Sequence, residues 1–137
     1  MNHWLLKTEP DEWSWAKQVK KGIEGWSGVR NAQAANNLRA MRKGDLCFFY
    51  HTGEERRIVG IVEVAREHYP DPSDADGRFV MVDVRAVMPV VRPVRLEAIK
   101  ADPELEHLLL VRNSRLSVVP IDGAAWTRIC AMAGITT

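Results

Sequence analysis

Gly25-Trp26-Ser27-Gly28-Val29-Arg30-Asn31 leads into Ala32-Gln33-Ala34-Ala35-Asn36-Asn37-Leu38-Arg39-Ala40-Met41-Arg42, and Lys43-Gly44-Asp45 then opens Leu46-Cys47-Phe48-Phe49-Tyr50-His51-Thr52. Read in order, this is a glycine-flanked loop, a capped helix, a turn and a strand. Asn31 is placed to cap the helix, in which Ala34, Leu38 and Met41 form an apolar stripe and Gln33, Asn36 or Asn37, Arg39 and Arg42 lie away from it. From Leu46 to Tyr50 both parities are apolar, which predicts a strand covered on both faces. Indole, amide and guanidinium groups are gathered into one short segment, the set that a pocket for a flat, polar-edged ligand requires.

Working outward, Trp4-Leu5-Leu6 predicts a first strand closed by Glu9-Pro10, since a residue before proline avoids helix. Asp11 is expected to cap a helix through about Lys20, with Trp15 and Val19 on one face and Gly22 as its stop. Beyond the central stretch, Ile58 to Val64 is the hairpin partner of the Leu46 strand, and Gly60 within it predicts a bulge or a close backbone approach. Tyr69 to Gly77 reads as an acidic surface loop. Val80, Val82, Val84, Ala86 and Met88 alternate with Met81, Asp83 and Arg85, the period of a half-buried strand.

Two short helices are expected at Leu96–Ala101 and Pro103–Leu109, the second capped by Asp102. Arg112-Asn113-Ser114-Arg115 is a polar loop and Leu116–Pro120 a last strand. Asp122 caps a closing helix that turns Trp126, Ile129 and Ala133 inward and stops at Gly134. Interspersed strands, helices and hairpins predict a small α+β fold around a twisted, barrel-like sheet.

Composition narrows the function classes. The 137 residues carry 46% hydrophobic and 27% charged residues and a net charge of +1. That is enough chain for one domain with its own core, and too balanced for a polycation that holds nucleic acid by charge alone. Cys47 and Cys130 sit in apolar segments and read as buried free thiols of a reducing compartment. The first residues lack the basic start and long apolar run of a signal peptide, and no stretch nears the roughly 20 apolar residues of a membrane span. A cytoplasmic protein is expected, or a nuclear one in a eukaryote, with a monomer as the simplest state.

Enzyme motifs are missing. Cys47 and His51 share a strand face but are about 13 Å apart, beyond nucleophile–base reach. Glu9, Asp11 and Glu12 surround a helix start, where carboxylates cap. The four histidines lack metal-ligand spacing. No cofactor or metal is implied.

Binding has better support. Trp4, Trp13, Trp15 and Trp126 fall at positions that read as core. Trp26 stands outside any apolar period, between glycines and before a helix start, so it reads equally as core or as one wall of a base pocket. Arg30 and Arg39 could hold phosphate, and Arg112 and Arg115 flank a loop suited to an oxyanion. Tyr50 and His51 end a buried strand, where they form either a second wall or a strand-end pair with one polar tip in water.

Trp4-Leu5-Leu6-Lys7-Thr8-Glu9-Pro10, Trp26-Ser27-Gly28-Val29-Arg30-Asn31, Gly44-Asp45, Phe49-Tyr50-His51, Ile58 to Val64, Tyr69-Pro70-Asp71-Pro72 and Ser114 to Val118 together resemble an EVE domain. That PUA-like family is similar in fold to the YTH readers of methylated adenine. The resemblance implies an α+β pseudo-barrel, no enzymatic activity, and a pocket for a flipped, modified base, cytosine rather than adenine, in DNA or RNA. It places Trp26 as the stacking ring, Ser27, Val29 and Asn31 beside the base, and Tyr50, His51 and Ser114 at the mouth. Arg30, Arg39, Arg112 and Arg115 would hold phosphates. Ser27 and Ala32 stand where the family often has aspartate and an aromatic residue, which changes the base edge that fits. The rival readings are a hydrolase or transferase of modified nucleotides and a protein-interaction module.

Overall fold

A computed structural model describes residues 1–136. Its elements are β1 (His3–Thr8), α1 (Trp15–Lys21), β2 (Ile23–Gly25), α2 (Ala32–Ala40), β3 (Leu46–His51), β4 (Arg57–Pro70), β5 (Val80–Arg95), α3 (Leu96–Lys100), α4 (Leu109–Arg112), β6 (Val118–Ile121) and α5 (Gly123–Met132). The strands form one mixed sheet in the order β2-β5-β4-β3-β1-β6. Only β1 and β3 pair in parallel; the other neighbours are antiparallel. The fold is α+β as expected, but β2 and β6 remain edges, so the hydrogen-bonded ladder does not close into a barrel.

The core follows from β3. Its alternation sends Phe48 to one face, where it stacks on Trp126 of α5 at 3.9 Å between ring centroids. Phe49 goes to the other face and meets Trp15 and Trp26 edge-on at 5.2 and 5.6 Å. Both phenylalanines are fully buried, each stabilising the fold by about 1.5–3 kcal/mol. Ala34, Leu38 and Met41 are sealed, as the α2 stripe predicts.

Gly60 is both a bulge and a close approach. The pairing register shifts beside it, and a Cβ there would lie 2.5 Å from the Trp15 ring. The expected caps also form: Asn31 Oδ1 accepts the Ala34 N–H at 2.9 Å, and Asp122 Oδ1 accepts that of Ala125 at 2.8 Å.

Several expectations need correction. The first helix starts at Trp15, because the Ser14 hydroxyl accepts the Lys17 N–H while the Glu9 carbonyl ties residues 9–13 into a turn. Its inward residue is Gln18, fully buried and bonded to the Gly22 and Val84 carbonyls; Val19 faces out. Strand β2 was not anticipated. Strand β5 runs seven residues past Met88, through Pro89 and Pro93. Its partner β2 pairs only with Asp83 to Arg85; beyond them no strand lies on that side, the Val91 and Arg92 N–H groups donate to the Ala133 carbonyl, and the two prolines, which have no N–H to give, are tolerated. Met88 is exposed rather than inward. The helix expected at Pro103–Leu109 lies at Leu109–Arg112; Asp102 instead holds a turn by accepting the Glu104 N–H at 3.0 Å.

Candidate functional site

The loop from Trp26 to Arg30 joins β2 to α2, and its shape is set from the sheet. The Trp26 N–H donates to the Val82 carbonyl at 2.7 Å, extending the β2 pairing by one residue. Gly28 then takes φ +84°, a left-handed conformation that favours glycine, and points its N–H at Asp71 Oδ2, 2.8 Å away.

Asp71 is the organiser of this rim. The acidic loop is not wholly at the surface, for Asp71 is buried within it. Its Oδ1 accepts the Ser73 N–H and hydroxyl at 2.8 and 2.6 Å, and its Oδ2 accepts Gly28 and an Arg30 Nη at 3.3 Å. Burial alone would push the carboxyl up; the Ser73, Gly28 and Arg30 donors outweigh it and hold its pKa at about 2. Arg30 also donates to Val29 O and Ser73 Oγ, and its guanidinium lies over the Phe79 ring.

Trp26 is 7% exposed, so it belongs to the core, braced edge-on by Phe49. It also borders a cavity of about 650 Å³ at the Thr8 end of β1, within the roughly 300–1,000 Å³ of ligand pockets. The indole N–H makes no hydrogen bond in the described chain. No side-chain nitrogen or oxygen there is both sealed and unpaired, so this edge reaches open space.

Glu24 to Arg30 form one side of the cavity. Lys7, Thr8 and Glu9 from the end of β1, with Glu12 and Trp13 from the turn after it, form a second; Thr52, Ser114, Arg115 and Ser117 complete the rim. The structure thus brings together six residues singled out from sequence: Trp26, Ser27, Val29, Arg30, Ser114 and Arg115.

Five others stay outside the lining. Asn31 has its carbonyl oxygen engaged in the α2 cap. Tyr50 is buried beside Lys7 in the β1–β3 pairing, and that burial raises its phenol pKa. His51 is buried between α1 and the β3–β4 turn: Nε2 accepts the Trp15 N–H at 3.0 Å, so Nδ1 carries the hydrogen donated to Glu55 at 2.9 Å. Arg39 bridges Asn36 Oδ1 and the Arg78 carbonyl, and Arg112 donates to the Glu106 carbonyl.

Sequence reasoning missed Lys7 and Trp13. Lys7 looks like an ordinary polar strand end, and Trp13 reads as helix core. Trp13 is instead a half-buried turn residue whose indole N–H donates to Gln18 Oε1 at 2.9 Å. Only the Trp4-to-Pro10 motif hinted at Lys7.

Charges in the cavity are mixed. Glu9 accepts the Thr52 hydroxyl at 2.6 Å, and Glu24 pairs with Lys21 at 2.8 Å. Lys7 Nζ donates to the Ser114 carbonyl at 3.0 Å, and burial lowers its pKa. The Cys47 thiol is sealed and burial pushes its pKa far up, which removes it as a nucleophile. Among the described residues no group of three or more His, Cys, Asp or Glu is placed to hold a metal, and no helix is long and apolar enough to cross a membrane.

Comparison with known proteins gives this geometry relatives. Thymocyte nuclear protein 1 of Gallus gallus is 37% identical over 158 residues, covering 87% of this chain; the chain spans only 63% of that protein's length. Protein Atu2648 from Agrobacterium tumefaciens has a crystal structure with a TM-score of 0.95 and 47% identity, covering 98% of this chain and 94% of its own. Human THYN1, solved in complex with 5-methylcytosine containing DNA, superposes with a TM-score of 0.87 at 28% identity, covering all of both chains. The family model described as the EVE domain matches residues 2–132, and the chain belongs to that family.

Proposed function

We propose that this chain is a non-enzymatic reader of a modified nucleobase in DNA or RNA, with cytosine favoured over adenine. The observation that carries the reading is Trp26, a ring set edge-on against Phe49 that borders a cavity large enough for a base. The human relative solved with methylated DNA supports both the cytosine preference and the polymeric ligand. We take residues 1–137 as one domain, with the twisted sheet serving as the family's pseudo-barrel despite its open edges. It acts as a monomer in the cytoplasm, or in the nucleus of a eukaryote.

The target base leaves its stack at a cost of a few kcal/mol. Stacking on Trp26 returns roughly 1–3 kcal/mol. The exposed Ser27 hydroxyl and the backbone from Ser27 to Val29 meet the polar edge. Burying one methyl contributes about 0.8 kcal/mol, roughly a fourfold preference, so selectivity for a methyl alone is modest.

Oligonucleotides carrying 5-methylcytosine, cytosine, N6-methyladenine or adenine, titrated at one fixed salt concentration, test the reading. The expected result is saturable binding, tightest for 5-methylcytosine, with the oligonucleotide recovered unchanged. Equal affinity for all four, or a released product, contradicts it.

A further inference from the structure

We propose that Lys7, Ser114, Arg115 and Ser117 form an anion seat on the cavity rim for the phosphodiester next to the extruded base. The proposal rests on the base-reader function and adds to it the place where the backbone is held.

Charge accounting points to this side. Of the three cations lining the cavity, Arg30 is already neutralised by Asp71. Neither Lys7 nor Arg115 forms an ion pair with a carboxylate among the described residues. Lys7 is half-buried, so its ammonium has lost part of its hydration with no counter-charge in return. An ammonium has three donors, of which the Ser114 carbonyl uses one.

Geometry fixes the same group. The Lys7 backbone N–H donates to the Ser117 carbonyl and its side chain to the Ser114 carbonyl, both at 3.0 Å. The end of β1 therefore clamps the loop that carries Arg115. Ser114 and Ser117 line the cavity beside it, and their hydroxyls make no hydrogen bond in the described chain. Two unpaired cations and two free hydroxyls on one rim match a phosphodiester, which carries a negative charge and several acceptor oxygens.

The test uses Lys7→Gln, Arg115→Gln and, as a control away from the cavity, Arg128→Gln, whose guanidinium pairs with Asp102, with three probes: a single-stranded oligonucleotide with one 5-methylcytosine, 5-methyldeoxycytidine, and its 5′-monophosphate. Lys7→Gln and Arg115→Gln are each expected to weaken oligonucleotide binding about tenfold. Each should also reduce the slope of log K against log salt by about 0.7. Nucleoside affinity stays unchanged, Lys7→Arg restores the slope, and Arg128→Gln leaves the slope intact because Arg128 lies outside the cavity lining.

An unchanged slope in both variants overturns the seat. So does nucleoside binding that falls in step with oligonucleotide binding, which would make Lys7 a reader of the base edge. If wild-type protein binds the nucleoside and gains nothing from the phosphate, the seat fails and the base reader stands. If it binds none of the three probes, the base reader fails and takes the seat with it.

Discussion

Trp4 and Trp26 are buried to nearly the same degree, 5% and 7% exposed, and each borders a cavity, of about 410 and 650 Å³. At the His3 end of β1, the Trp4 indole N–H donates to Asp45 at 3.0 Å, and that carboxylate also collects the N–H groups of Asn2 and Arg42. Nearby, His107 and Asp122 are joined at 2.5 Å, and His3 stacks on Trp126. At the Thr8 end, the Trp26 indole N–H, the Arg115 guanidinium and two of the three Lys7 donors have no partner in the described chain. A polar group that has found its partner stabilises the fold; one held in place without a partner is available to a ligand. Burial alone does not separate the two tryptophans, and their indole hydrogen bonds do.

Replacing each tryptophan tests this contrast most severely. Trp4→Ala and Trp26→Ala should each cost about 3–5 kcal/mol in urea unfolding, since both remove a large core side chain. Only the second should abolish oligonucleotide binding by the protein that remains folded. Trp26→Phe keeps a ring for packing and should fold while losing part of the affinity. Equal affinity losses at both positions would erase the distinction.

Gly60→Ala probes the support behind the Thr8 end. The new methyl meets the Trp15 ring and should cost about 1–3 kcal/mol in thermal unfolding. Because Trp15 directly follows the turn that carries Trp13, binding should weaken as well; unchanged binding would show that this wall carries no ligand.

Asp71→Asn loosens the rim without touching the cavity lining. A carboxyl held at about 2 from an ordinary 3.8 contributes about 2 kcal/mol. That contribution is fully present above pH 4 and is lost as the pH falls through about 2. Wild-type urea midpoints should therefore drop between pH 4 and 2 by more than those of the variant. Parallel curves would remove Asp71 from the account.

The smallest effect belongs to the far end. Asp122→Ala removes the α5 cap and the His107 contact, and should cost about 1 kcal/mol while leaving affinity unchanged.

The legible parts of the fold were those written in local pattern. The two-sided β3 and the Asn31 and Asp122 caps each depend on residues a few positions apart, and the Gly60 approach was marked by the glycine itself although its partner Trp15 is distant in sequence. Strand β5 hid its second half because two prolines read as a stop unless the pairing is known. The first helix misled through a capping contest between Asp11 and Ser14 that a turn at Glu9 decides. In the site, Trp26 was visible because glycines isolate it. Lys7 was not, because its importance lies in what it fails to meet, 107 residues away from its loop partner Ser114. Asp71 was hidden likewise, a buried latch inside a segment whose composition resembles a solvated loop.

A crystal structure of this protein with an oligonucleotide carrying one 5-methylcytosine tests the central claim most directly. The account predicts the modified base out of its stack and parallel to the Trp26 indole, about 3.5–4 Å from it, with the adjoining phosphate between Lys7 and Arg115. A base still stacked within the nucleic acid, with the cavity beside Trp26 unfilled, would contradict it.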